Sequence, residues 1–313
     1  MITAASDGAI MEPILRHVVH PSDFTEASRT AFAHALKAAL IAKGKLSLIH
    51  ETNDETRDWS DFPGVQETLE RWGILPAGSL PEAVDDLGID VARVIGSGSD
   101  PVKGVLRYLD EQGADVIVLA THHQGSDWLH KSIAEPVARK SNEMTLFVPA
   151  SGRGFISLDD GTVSLRHVLI PIAESPAPQA AISGAVRLVR QLKCERGKFT
   201  LLHVGEKEPA LDIPIVAGWG CDRLHKRGNV IDVILQTAQE TEADVIVMST
   251  QGHHGFLDAL RGSHSERVLR HAPCPLLAIP TSSHAAANLV KADATDWYQQ
   301  SERRTKRRSM TNS

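Results

Sequence analysis

The chain has 313 residues, of which 42% are hydrophobic and 23% charged, and carries a formal net charge of −6 at pH 7. That is twice the ~150 residues that serve as a soft prior for one domain, with the composition of an ordinary globular protein. The acidic balance gives no reason to expect nucleic acid or an anionic membrane surface as a partner of the folded part.

Residues 1–13 are small and polar without periodicity and read as a loose lead-in. Arg16-His17-Val18-Val19-His20-Pro21 predicts a short strand ending at proline, and Ser22 to Ser28 a loop in which Asp23 and Thr25 cap the following helix. Phe32, Ala35, Leu36, Ala39 and Leu40 share one helical face, which Gly44 stops. Leu46–His50 is a second strand, and Val65–Trp72 a short helix. Val91–Ile95 is a third strand, after which Asp100 caps a helix with Pro101 in its first turn. Val116–Leu119 and Thr145–Val148 complete a set of five strands.

The same landmarks then recur in the same order. Arg166 to Pro171 repeats Arg16 to Pro21, His203 answers His50, and Ala243-Asp244-Val245-Ile246-Val247 is identical to Ala114-Asp115-Val116-Ile117-Val118. Ser263, Glu266, Val268 and Arg270 answer Ser132, Glu135, Val137 and Arg139, so the chain is an internal duplication. His50 and Ala114 are 64 residues apart, whereas His203 and Ala243 are 40 apart. The second copy therefore lacks a crossover helix, leaving Ile213 to Val216 as an irregular link. The expected units are 14–150 and 166–281, joined by a Ser-, Gly- and Asp-rich linker over 151–165. A basic tail, 282–313, follows, which composition assigns to solvent. Three scattered cysteines, Cys194, Cys221 and Cys274, form no CxxC pair and favour a reducing compartment. No basic-then-apolar leader and no apolar run near ~18 residues is present, so the expected location is the cytoplasm, without a membrane span.

The stretch Ala243 to Glu266 is an apolar strand opening into a loop with Gly252, Gly255 and Gly262-Ser263 ahead of a helical pattern. Glycines before a helix start let backbone N–H groups approach an anion, which suits phosphate. The spacing resembles the Gly-x2-Gly-x9-Gly-Ser/Thr nucleotide loop of universal stress proteins, with Ser249 at the first glycine position. The resemblance covers Ile14 to Pro280 as a tandem member. It implies an α/β fold of two adenine-nucleotide-binding-like sandwich domains, each with a five-stranded, mostly parallel sheet. It also implies pairing through their last strands, Thr145–Val148 beside Leu276–Ile279, as an intramolecular pseudo-dimer. Pairing of two whole chains and the identity of protein partners stay open.

The resemblance further implies a site for ATP or another adenine nucleotide in the second copy, with Mg²⁺ only if ATP is bound. Ser249, Gly252 and Gly262 admit phosphate to the backbone, Ser263 donates its hydroxyl and amide, and His253 adds charge. Pro171, Ile172, Thr250 and His264 complete the set. Ala173 stands where the family has an acid. The first copy keeps that acid, Asp23, with Thr25, but has Ala120 and His123 at the glycine positions and Lys131 ahead of Ser132. Its spacer is shortened as well, so it is expected to be degenerate. No HExxH or comparable spacing supports zinc at His122, His123 or His130. His50 and His203 at strand ends suggest structural hydrogen bonds, and Cys274 a small buried strand residue. Ser175 and Ser263 lack a nucleophile elbow, and no Walker lysine occurs. The expected role is thus a stress sensor or adaptor with at most slow ATP hydrolysis, the alternative being a protein-interaction scaffold without nucleotide.

Overall fold

The structure is a computed structural model that describes residues 15–52, 64–121, 133–150, 153–206, 209, 211, 213–250, 271–283, 286–287 and 289. The first half contributes strands β1 (His17–Pro21), β2 (Lys45–Thr52), β3 (Asp90–Ser97), β4 (Val116–Thr121) and β5 (Thr145–Pro149). The second contributes β6 (His167–Ile172), β7 (Gly197–Val204), β8 (Trp219–Lys226), β9 (Val245–Thr250) and β10 (Leu276–Pro280). All ten form one sheet in the order β3-β2-β1-β4-β5-β10-β9-β6-β7-β8. Each half is parallel throughout; the junction is the antiparallel pair β5–β10, with Leu277 opposite Leu146. This is the mostly parallel α/β fold expected of the sequence, and the junction joins the two strands that the resemblance pairs.

The unbroken apolar runs of β4 and β9 are strands buried on both faces. Val18 and Val118 point into one core with helices α1 (Arg29–Ala42), α2 (Val65–Arg71) and α5 (Gln179–Gln191). Val19 and Ile117, each adjacent in its strand, point into the other core with α3 (Pro101–Gln112), α4 (Ala134–Ser141) and α6 (Val230–Glu240). Alternation along the strand thus feeds two layers of helices. Asp100 caps α3 as expected, its carboxylate accepting from Lys103 N at 3.2 Å.

The identical Ala-Asp-Val-Ile-Val segments have a structural reason beyond the strand itself. Asp115 Oδ2 accepts from the N–H groups of Arg16 and His17 at 2.7 and 2.8 Å, and Asp244 Oδ2 accepts from Arg166 and His167 at the same distances. Each aspartate ties the start of one central strand to its neighbour. The histidines repeat too: His17 Nε2 meets Ser47 Oγ and His167 Nε2 meets Thr200 Oγ1, both at 2.8 Å.

Between β2 and β3 the first half places α2 and a 3-10 turn, Pro81–Leu87. Between β7 and β8 the described residues contain no helix, in line with the 24-residue shortfall. Trp219 covers part of the bare face instead: its ring lies 4.7 Å from that of Phe199, and its Nε1–H donates to the Cys194 carbonyl at 2.9 Å. Beyond it, Cys221, Asp222 and Arg223 are exposed on an edge strand that the sequence reading did not identify.

Two local expectations are corrected, and the linker shows more structure than its composition suggests. Gly44 is not the left-handed stop of α1, because Lys43 takes that conformation at φ 49°. Gly44 is needed instead for close approach, since a Cβ there would collide with the Arg16 carbonyl. Cys274 sits in the bend before β10 rather than in the strand, and burial pushes its thiol up to about 12. The Ser/Gly/Asp-rich stretch is anchored rather than a bare connection. Ile156 bridges Val163, while Phe155, Ile156 and Leu165 are buried, and Trp72 Nε1–H reaches the Leu158 carbonyl.

Candidate functional site

In each half the chain leaves the first strand toward both sides of the sheet, so a switch point lies between β1 and β4 and another between β6 and β9. At both, the pairing is short: Val18 with Val116 and Val19 with Ile117, then Val168 with Val245 and Leu169 with Ile246. Beyond these pairs the strands diverge toward their carboxyl ends, which opens a crevice where ligands of such sheets bind. Pro171 and Ile172 end β6, and Ser249 and Thr250 end β9, so the structure brings these four to the edge of the second crevice. Gly252, His253, Gly262, Ser263 and His264 lie outside the described residues, as do His123, Lys131 and Ser132 of the first copy. Asp23, Thr25 and Ala120 are described.

The first crevice is tied and lined by its own side chains. His20, fully buried, donates its Nδ1–H to the Val118 carbonyl at 2.8 Å, bridging β1 to β4 where they part. Burial lowers its pKa to about 4, so the ring is neutral. Phe24 holds φ 61° and stacks on His50 with ring centroids 3.9 Å apart. A left-handed phenylalanine costs about 1–2 kcal/mol, which that stack helps offset. His50 in turn donates Nδ1–H to the Ser22 carbonyl at 2.8 Å, the structural role expected of it.

Asp23 accepts at Oδ1 from Thr25 N, Thr25 Oγ1 and Ser28 Oγ at 3.0, 2.7 and 2.6 Å. Its carboxylate therefore organises the 3-10 turn Glu26–Ser28 that leads into α1, while the Thr25 side chain makes no cap bond of its own. That corrects half of the expected pair: Asp23 orders the helix start and Thr25 is its client. A cavity of about 150 Å³ remains, with Asp23, His50, Glu51 and Ala120 in its lining. Glu51 is wedged between Gly96 and Gly104, where a Cβ at either would collide with its carboxyl, and burial raises its pKa. Glu51 adds a second carboxyl beside Asp23, the acid that the family keeps, and as a carboxylate it opposes phosphate by like charge. Phe24, His20 and Glu51 were not singled out from sequence, because nothing in their spacing marks them.

Among the described residues, the second crevice lacks the His20 bridge and the Phe24 stack. Ile170 and Val247 stand where His20 and Val118 stand in the first, so no imidazole bridges the diverging strands. His203 donates Nδ1–H to the Ile172 carbonyl at 3.2 Å, matching His50. Ser249 Oγ accepts from Ala181 N at 3.1 Å. Ala181 is the third residue of α5, whose N-cap Pro178 offers no side-chain bond, so a hydroxyl from β9 satisfies a free helix donor. Asp23 and Ser249 thus order corresponding helix starts from different strands. Ser249→Ala is expected to cost about 1 kcal/mol, the usual loss of a helix cap, read as a lower denaturant midpoint with unchanged slope.

Among the described residues no group of three metal-ligating side chains assembles, and no helix is long and apolar enough to cross a membrane. Comparison with known proteins agrees with the architecture. A universal stress protein of Methanocaldococcus jannaschii is 31% identical over 116 residues, covering 36% of this chain and 63% of its own length. Universal stress protein A homolog 1 of Coxiella burnetii is 37% identical over 141 residues, 36% of this chain and 95% of that protein. The crystal structure of a universal stress protein from Archaeoglobus fulgidus superposes with a TM-score of 0.56 at 17% identity, covering 85% of this chain and 98% of that one. The sequence model of the universal stress protein family matches residues 15–149 and 221–280. With that match spanning more than half of its length, the chain belongs to the universal stress protein family.

Proposed function

We propose that the chain is a cytoplasmic stress sensor or adaptor whose second domain, 166–281, holds ATP or another adenine nucleotide, while its first domain, 14–150, is a degenerate copy. The difference between the two crevices carries this reading. The first is bridged by His20, covered at His50 by Phe24 and lined by Asp23 and Glu51. The second has Ile170 where the first has His20, so no imidazole ties its strands at that position. In this reading the strand ends Pro171, Ile172 and Thr250 frame the base and sugar, and Ser249 lets phosphate approach the backbone. Gly252, His253, Gly262, Ser263 and His264 receive the phosphates at the following helix start. Mg²⁺ enters only with ATP, as a phosphate counter-ion. Nucleotide occupancy then biases the chain toward different protein partners, with no turnover required.

A second reading, a scaffold without nucleotide, is favoured by Ala173, which leaves the second copy without the acid that follows the first strand in the first copy. Calorimetric titration of ATP and AMP into the wild type and Gly262→Lys separates the two. The substitution places in the second copy the lysine that the first has at Lys131. Saturable 1:1 binding that falls at least tenfold in the variant supports the sensor. Absence of binding to the wild type leaves the scaffold.

A further inference from the structure

Strand β8 ends the sheet on the side of the second half, and among the described residues no strand covers its outer edge. Its ladder with β7 fixes which backbone groups face outward. The carbonyls of Gly218 and Lys226 accept from the N–H groups of Gly197 and Gly205, both at 3.2 Å, so even-numbered residues direct their groups toward β7. Cys221, Arg223 and His225 therefore direct theirs to the edge, a template for another strand. The side chains divide in the same way. Leu224 packs toward the core that holds α6, and Asp222 and Lys226 flank it on that face. Asp222 is exposed, while the Lys226 ammonium meets Glu240 of α6 at 2.7 Å. Along this face the strand reads acid, apolar, base.

We propose that a second copy of this chain docks on this edge, the two β8 strands pairing antiparallel about a two-fold axis at Leu224. Charge complementarity selects both the partner and the register. Such an axis sets one residue opposite itself. Centring on Asp222 or Arg223 puts like charges face to face, and centring on His225 puts Arg223 against Arg227. Centring on Cys221 leaves Asp222 opposite Gly220. Centring on Leu224 sets Asp222 of each copy opposite Lys226 of the other, with the two leucines between them. These are non-hydrogen-bonded pairs, whose side chains lie closer, and Arg223 and His225 make the hydrogen-bonded pairs. Charged edges ordinarily repel strand addition, whereas this pattern admits its own copy. At the other end of the sheet β3 has no such pattern: Asp90 and Arg93 are three positions apart and so lie on opposite faces. Since β8 lies outside the strands that frame either crevice, the proposal is independent of nucleotide binding.

Sedimentation of the full chain, of Asp222→Lys and of Lys226→Glu, each alone and the two mixed, tests it. The wild type should sediment as a dimer that dissociates on dilution. Each reversal sets like charges across the axis and should raise the dimer dissociation constant at least tenfold. Mixed in equal amounts, the two variants regain opposite charges at both positions and should pair with each other more tightly than either does with itself. The inference is overturned if the wild type stays monomeric to about 0.2 mM. It is equally overturned if the two variants, both folded by circular dichroism, dimerise as the wild type does, or if their mixture associates no better than either alone.

Discussion

Denaturant unfolding of the full chain will show stability falling by roughly 3–6 kcal/mol as pH drops from about 6.5 to about 4, and His34→Gln will remove about 3 kcal/mol of that fall. His34 lies in α1, fully enclosed beneath the segment that joins the halves. Its Nε2 accepts from Phe155 N at 3.2 Å, so the proton is on Nδ1, which donates to the Thr30 carbonyl at 2.7 Å. Protonation would end the Phe155 bond and place a charge against the apolar ring of Phe155, 4.5 Å away. Burial accordingly lowers its pKa from 6.5 to about 4, and His20 is lowered to about 4 for the same reason.

A base with a depressed folded pKa binds its proton more readily in the unfolded chain. The stability it supports is therefore present above about 6.5 and lost as pH falls toward about 4, about 3 kcal/mol per histidine. Glu143 acts in the opposite sense. Burial and Asp115 raise its pKa from 4.5 to about 7, so the folded state gains a proton on the way down and stability rises between those limits. Being half exposed, it contributes less than a fully buried group. Glu143→Gln should deepen the wild-type fall, and His34→Gln should flatten it. An unchanged slope in His34→Gln would remove the assignment.

The fold was largely legible because duplication printed each central landmark twice. The apolar runs of β4 and β9 and the capped start at Asp100 are local signals of burial and helix entry. The missing helix showed as a difference in spacing between His203 and Ala243. The edge strand β8 did not show, because Gly220-Cys221-Asp222-Arg223 has no apolar run; only its in-register pairing with β7 makes it a strand. The anchoring of 153–165 was hidden for a related reason. Ser, Gly and Asp read as loop, while Phe155, Ile156 and Leu165 find their buried partners across the chain.

The candidate site was legible only where its parts are local. The end of β9 and the glycine spacing are read from a single stretch, and the loss of an acid at Ala173 is read by aligning two copies. What tells the crevices apart is non-local. His20 reaches a carbonyl 98 residues away, Ser249 caps a helix 68 residues back, and Phe24 occupies a left-handed position that no sequence preference favours. Each depends on which strands become neighbours, which follows from topology rather than from residue type.

Asp244→Ala is expected to cost about 2–4 kcal/mol, since it removes two charge-assisted bonds to backbone N–H groups that are left to compete for water at a strand start. Asp115→Ala removes the same two bonds in the other half, yet should cost less. Asp115 also raises the pKa of Glu143, and deleting it relieves that repulsion at pH 7. Denaturant midpoints at pH 7 for the two single variants and the double variant will test this. Asp244→Ala should be the more damaging, and the double variant should equal the sum within about 0.5 kcal/mol because the sites share no partner. Asp244→Asn should retain part of the loss, its amide oxygen still accepting both N–H groups without the charge. If Asp244→Ala is neutral, the identity of the two Ala-Asp-Val-Ile-Val segments needs a different cause than the tie between strand starts.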